Sequence, residues 1–108
     1  MDTFVLPKFN SNYHGEPSFE EFKKYLTTKI VYPKRAERRL IEGRVLLSFC
    51  IDRYGTVVDV TVVESTHRLF NAEAVRVVKS SPKWTPSYNL RGNPVKTKFV
   101  IPLTFNLP

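Results

Sequence analysis

The sequence predicts an α+β domain with the order α-(short α)-β-β-α-β, a three-stranded antiparallel sheet with helices packed on one face. Three observations carry this. Val45, Leu47, Phe49 and Ile51 alternate with other residues at period two, and a Val-rich run, 56–64, follows them after one turn. A last run, Val95, Thr97, Phe99, Ile101, Leu103 and Phe105, alternates in the same way. Two segments instead show helical spacing: Phe19, Phe22, Leu26 and Ile30, then Ala74, Val77 and Val78. Three strands with one covered apolar face suffice for independent stability.

At 108 residues this is one domain by size. A chain of this length buries roughly 60–68% of its unfolded surface, enough for a core without staples. Hydrophobic content of 42% and aromatic content of 13% place it among globular rather than disordered chains. It has no apolar run of about 18 residues that would span a membrane. The start, MDTFVLPKFN, lacks the basic and apolar regions of a secretory signal.

Residues 1–17 read as a lead-in segment, with a short extended piece at Phe4-Val5-Leu6; the domain proper runs over 18–108. Ser18-Phe19-Glu20-Glu21 is a capping box, in which Ser18 accepts from the Glu21 amide and Glu21 reaches back. It opens a first helix over 19–29. Pro33 disfavours helical geometry at Tyr32 and then opens a short second helix through Leu40. Gly43 begins the first strand. Asp52-Arg53-Tyr54-Gly55 is a turn, with Gly55 suited to a left-handed conformation, so the first two strands form a hairpin. Asn71 reads as the cap of the next helix, with Phe70 and Val75 as its hydrophobic staple. Glu73, Arg76 and Lys79 fall on that helix's outer face. Pro82 ends it, and the crossover Ser81-Pro82-Lys83-Trp84-Thr85-Pro86 leads to the last strand through a loop over 88–93. Pro82 and Pro86 hold this crossover extended, where neither helix nor strand is expected. Trp84, the sole tryptophan, reads as a core plug over the seam of helix and sheet.

The residues carry no constellation for catalysis or metal binding. His14 and His67 are the only histidines and are far apart, and no CxxC, HExxH, GxSxG or GxxxxGK[ST] occurs. Cys50, the one cysteine, sits mid-strand as a packing residue and leaves the redox compartment open. His67 reads as a surface or capping residue. No cofactor is expected. With 17 Lys and Arg against 10 Asp and Glu, the formal charge of +7 favours anionic partners: nucleic acid, lipid headgroups, cell-wall polymers or acidic peptides. The basic stretch Lys34-Arg35-Ala36-Glu37-Arg38-Arg39 is the best nucleic-acid candidate, but Glu37 and Glu42 interrupt its field, and it reads as a solvated helix face.

The last strand is more informative. Pro102 has no amide hydrogen and so marks an edge strand. Lys96, Lys98 and Pro102 are the usual protection of an exposed edge, and the same edge is a docking site for an extended peptide. On the residues alone both readings stand.

Several stretches together resemble the C-terminal domain of TonB energy transducers. These are Tyr32-Pro33, then Glu42-Gly43-Arg44-Val45, then Phe49-x-Ile51-Asp52-x-x-Gly55-x-Val57-x-Asp59-Val60-x-Val62-Val63-x-Ser65. Glu73-Ala74-Val75-Arg76-Val77-Val78, Pro82-Lys83-Trp84-Thr85-Pro86, Gly92-x-Pro94-Val95 and Ile101-Pro102-Leu103-x-Phe105 continue the series. The likeness runs from Phe9 to Leu107 and is nearest to the versions of Bacteroidetes-type bacteria.

The resemblance implies the same α-β-β-α-β fold, with the last strand beside the first. It also implies a non-enzymatic role in the periplasm, tied to the inner membrane by an N-terminal segment absent from these residues. There the domain captures the TonB box, a short peptide of outer-membrane transporters, by strand addition. A proton-driven motor complex in the inner membrane then supplies the force. Carried over by position, the docking strand is Val95, Lys96, Thr97, Lys98, Phe99, Val100 and Ile101, flanked by Tyr32, Pro33 and Glu37. The family pattern often has Gln where Glu37 stands. The sequence also departs from it at Asn10-Ser11-Asn12-Tyr13-His14-Gly15, where Gly-Gly is frequent, and shows neither anchor nor Pro/Lys/Glu-rich spacer. Trp84, Pro82, Pro86 and Gly55 are expected to be structural. Nucleic acid is not expected as a partner on this reading. The alternatives are a TonB-like module of a sensor- or protease-type membrane protein, a basic domain for nucleic acid or cell-wall and lipid polyanions, and a homodimer through paired edges.

Overall fold

The computed structural model describes residues 3–5, 8–9 and 19–108, with side chains from Glu21 onward. The Ser18 capping box, His14 and the 10–15 segment lie outside these residues. The main sheet is antiparallel, with β4 (Val57–Ser65), β3 (Gly43–Ile51) and β8 (Thr97–Phe105) in that order, so the last strand lies beside the first, as expected. Odd-numbered side chains of β3 and β8 face inward. Val45, Leu47, Phe49 and Ile51 are fully buried, as are Phe22 and Leu26 of α1 (Phe19–Lys29) and Ala74, Val77 and Val78 of α3 (Asn71–Lys79). These residues form one apolar cluster, so both longer helices cover the same sheet face.

The hairpin between β3 and β4 closes as its turn residues require. The amide of Gly55 donates to the Asp52 carbonyl, and Asp52 Oδ1 accepts from the amides of Tyr54 and Thr56. Gly55 has φ +85°, the left-handed region expected of it. The pairing of β4 with β3 slips twice, between Leu46 and Leu47 and between Ser48 and Cys50, with Asp59 at φ 55° within the second irregularity.

Around this core the described residues form five short strands that hydrophobic period does not reveal. Trp84–Thr85 is a strand (β5) paired with Lys8–Phe9 (β2), so the Pro-flanked crossover is a strand after all. Thr3–Val5 (β1), Ser87–Asn89 (β6) and Pro94–Val95 (β7) form a second sheet in the order β1-β6-β7. The segment 88–93, expected as a loop, is therefore largely the tip of a hairpin, with Asn89 Oδ1 accepting from the amides of Arg91 and Asn93 and Gly92 at φ +82°. The expected extended piece in the lead-in is found at Thr3–Val5; Leu6 is outside the described residues.

Two further corrections concern helix ends. Asn71 is not a cap: it has helical angles (φ −62°, ψ −48°), and a 3₁₀ turn, Arg68–Phe70, precedes it. That turn is capped by His67, whose Nδ1 accepts from the Leu69 amide. The short helix α2 spans Lys34–Arg38 and ends before Leu40, which turns left-handed at φ 55°. The amides of Leu40 and Ile41 donate to the carbonyls of Glu37 and Ala36, the 5→2 and 6→1 bonds of a Schellman motif.

Candidate functional site

β8 is the candidate site because it ends the sheet order, with β3 on one side and no strand of the described residues on the other. Its register with β3 is unbroken from Thr97↔Ile51 to Phe105↔Gly43. Which of its backbone groups point away from β3 follows from Arg44. Both the amide and the carbonyl of Arg44 bond to Thr66, beyond the end of β4. Successive residues of a strand direct these groups to alternate sides. Odd residues of β3 therefore face β8, and the even residues of β8 face outward. No strand of the described residues takes the outward amides of Lys98, Val100 and Thr104 or the carbonyls of those residues and Pro102. Pro102 sits where its missing amide costs no ladder bond.

The expected docking strand is accordingly shorter than the sequence suggests. Val95 pairs with Ser87 in the second sheet, and the chain changes sheets at Lys96. The alternation of Val95 with Thr97 runs straight through this change, which is why the pattern reads as one strand. Thr97 Oγ1 lies 2.6 Å from Oγ of Ser87, which is fully buried, and this contact holds the junction. Lys96 Nζ reaches Asp59 Oδ2 at 2.6 Å, across β3, and that contact raises the Lys96 pKa. Phe99 and Ile101 point into the core, whereas Lys98 and Val100 are exposed.

Of Tyr32, Pro33 and Glu37, Tyr32 meets β8, at its far end. The Tyr32 ring packs edge-on against Phe105 at 5.9 Å and Phe70 at 5.7 Å, and its hydroxyl donates to the Ile41 carbonyl. Burial, then the charges of Glu42 and Glu37, push the Tyr32 pKa up. Phe105 is four residues beyond Ile101, about 13 Å along a strand. Tyr32 therefore borders the Phe105 end of the edge and not the stretch Thr97–Ile101. Pro33 is the N-cap of α2 and lines a groove with Val31, Tyr32, Lys34, Leu69, Ala72, Glu73 and Arg76.

Sequence reasoning missed the lock behind that groove. Glu73, expected on an outer face, is only 13% exposed in its side chain. Its Oε2 accepts from the Val31 amide at 2.6 Å and from Arg76, whose Nη2 also bonds the Lys29 carbonyl. Its hydrogen bonds with Arg76 hold the Glu73 carboxyl below the usual carboxylate range, ahead of the opposing effect of burial. A depressed folded-state pKa contributes stability above the unfolded value and loses it as pH falls through the folded value. Glu73→Gln is expected to cost about 1 kcal/mol at neutral pH, and its deficit to vanish in acid below the lowered pKa. Urea denaturation of both proteins at neutral and acid pH checks this; a deficit unchanged in acid would refute it.

The crossover residues support β8 from beneath. Trp84 is 3% exposed and lies edge-on to Phe22 at 5.0 Å and near-parallel to Phe99 at 6.4 Å. Pro82 is exposed and Pro86 half-buried, on either side of β5. Cys50 is half-buried on the sheet's open face, opposite Val58 and Lys98. Among the described residues no three His, Cys, Asp or Glu side chains gather as metal ligands, and no helix is long and apolar enough to cross a membrane.

The profile of the family described as Gram-negative bacterial TonB protein C-terminal matches residues 28–107. Two curated proteins, each named Protein TonB, from two strains of Helicobacter pylori, are 42% identical over 62 residues. The match covers 56% of this chain and 22% of theirs, so the chain spans about a fifth of the length of these relatives. Two NMR solution structures of Helicobacter pylori TonB-CTD are similar at 30% identity. One has a TM-score of 0.63 and covers 82% of this chain and 91% of its own; the other has 0.66, with 83% and 80%.

Proposed function

The chain belongs to the TonB C-terminal domain family, and from that premise we propose that it is the peptide-capturing domain of an energy transducer. On this reading it lies in the periplasm and is coupled through further chain to an inner-membrane proton-driven motor. It takes the TonB box of an outer-membrane transporter as an added strand along β8.

The observation that supports this most is the contrast between the two edges of the main sheet. β4 carries two register irregularities, a common way to blunt an edge against foreign strands. β8 carries none over its nine residues. A regular edge is what strand addition needs, because the incoming backbone must meet donors and acceptors at a constant repeat. Each such bond contributes only about 0.5–1.5 kcal/mol net, so capture is reversible and largely indifferent to the peptide's side chains. The bonds lie across a pull along the strand, which loads them together.

The test uses the outward register. A TonB-box peptide added to the chain should protect the amides of Lys98, Val100 and Thr104 from exchange. Val100→Pro deletes one outward donor and leaves the β3 ladder intact, as Pro102 already does. It is expected to weaken the peptide about tenfold or more, with stability little changed, whereas Val100→Ala keeps the amide and binds nearly as wild type. Calorimetry reads the affinities. Unchanged binding by Val100→Pro would remove β8 as the docking strand. Sedimentation without peptide separates capture from a homodimer formed by the same edges.

A further inference from the structure

The basic face of α2 carries a second feature that charge alone does not explain. Lys34, Arg35, Arg38 and Arg39 are all exposed. At about 100° per residue they occupy about 140° of the helix circumference, with buried Ala36 and Glu37 off that arc. The ion pairs within the described residues use other cations, Lys24, Arg76 and Lys96. Directly after Arg39 comes Leu40, 78% exposed and at φ 55°. A leucine there is unfavourable twice over. The left-handed conformation is the one glycine supplies at this position of a Schellman motif, and the apolar side chain is left in water.

A cation arc fits any polyanion, and an exposed leucine fits any apolar surface. Side by side they fit a surface that is anionic at its face and aliphatic just beneath: a bilayer bearing anionic phospholipid headgroups. We infer that the α2 face docks on such a bilayer, with Lys34, Arg35, Arg38 and Arg39 at headgroup level and Leu40 inserted below them. Nucleic acid offers the phosphates but no aliphatic layer for Leu40. Each cation near an anionic leaflet is worth about a factor of five in partitioning. Four cations and one leucine give a weak, reversible contact, suited to orienting the domain beside a membrane rather than anchoring it. The inference is independent of the peptide-docking reading, since neither Leu40 nor the arginines belong to β8.

Vesicle flotation tests it, using phosphatidylcholine vesicles with and without about a third phosphatidylglycerol. The chain is expected to float with the anionic vesicles only. Arg35→Gln/Arg38→Gln/Arg39→Gln should lower partitioning by about 100-fold. Leu40→Gly should lower it by about fivefold to tenfold while melting at or above the wild-type temperature, because glycine relieves the left-handed strain. Leu40→Gly floating as well as wild type would overturn the inference. So would tighter binding of a single-stranded oligonucleotide than of vesicles at equal phosphate concentration, which would make nucleic acid the partner.

Discussion

Trp84→Ala is expected to lower the unfolding free energy by about 3–5 kcal/mol, the range for truncating a buried tryptophan. The ring is 3% exposed and touches three elements at once: Phe22 of α1 at 5.0 Å, Phe49 of β3 at 6.3 Å and Phe99 of β8 at 6.4 Å. No single neighbour can collapse into the space it leaves, so the cavity term stays near its full size. For a domain of 108 residues the melting temperature should fall by about 15 °C or more. Trp84→Phe keeps an aromatic ring against Phe22 and should recover part of the loss. Trp84 is the sole tryptophan, so circular dichroism rather than fluorescence must follow the transition. A second readout belongs to function. Phe99 loses its near-parallel partner in the variant, so the Thr97–Ile101 half of β8 loosens, and on the proposed docking at β8 peptide affinity should fall with stability. An unchanged melting temperature would refute the plug; unchanged peptide binding would refute the link from plug to edge.

The elements that were legible in the sequence are those whose residues repeat a local period over a whole burial face. β3, β8 and the two longer helices each bury side chains at fixed spacing, β4 half-buries Val57, Val60 and Val62 against the same core, and α1 occupies the expected span. The open edge was legible for a different reason: Pro102 cannot serve a central strand. What stayed hidden depends on partners distant in sequence. A two-residue strand such as Trp84–Thr85 has no period, and only the approach of Lys8–Phe9 makes it one. Val95 keeps the alternation of its neighbours yet pairs with Ser87, because period two records facing and not pairing. Glu73 carries the spacing of an outer-face residue, but the Val31 amide in the loop after α1 recruits it. Leu40 adopts an angle that local sequence would assign to glycine. The outward register of β8 likewise needed one long-range pair, Arg44 with Thr66, before it could be read.

Gly55→Ala is expected to cost about 2–5 kcal/mol, although it adds a single methyl. Two penalties combine. A non-glycine residue at φ +85° pays about 1–2 kcal/mol, and an overfilled site typically adds about 1–3 kcal/mol. The second is near its upper range here, because a Cβ on Gly55 would lie 1.9 Å from the Trp84 carbonyl oxygen. That atom is backbone and cannot rotate away. It is also tied in place: the Trp84 amide donates to the Gly55 carbonyl at 2.8 Å, and Trp84 pairs with Phe9 on its other side. The hairpin tip and the Pro-flanked crossover are thus one joint held by main-chain bonds. A joint implies coupling. In the double variant with Trp84→Ala, the two costs should sum to about 1 kcal/mol or more beyond the measured total, since losing the ring loosens the crossover and lets its main chain yield to the Gly55 methyl. Urea denaturation of the four proteins of the cycle reads this, and strict additivity would show that Gly55 and Trp84 act as separate supports.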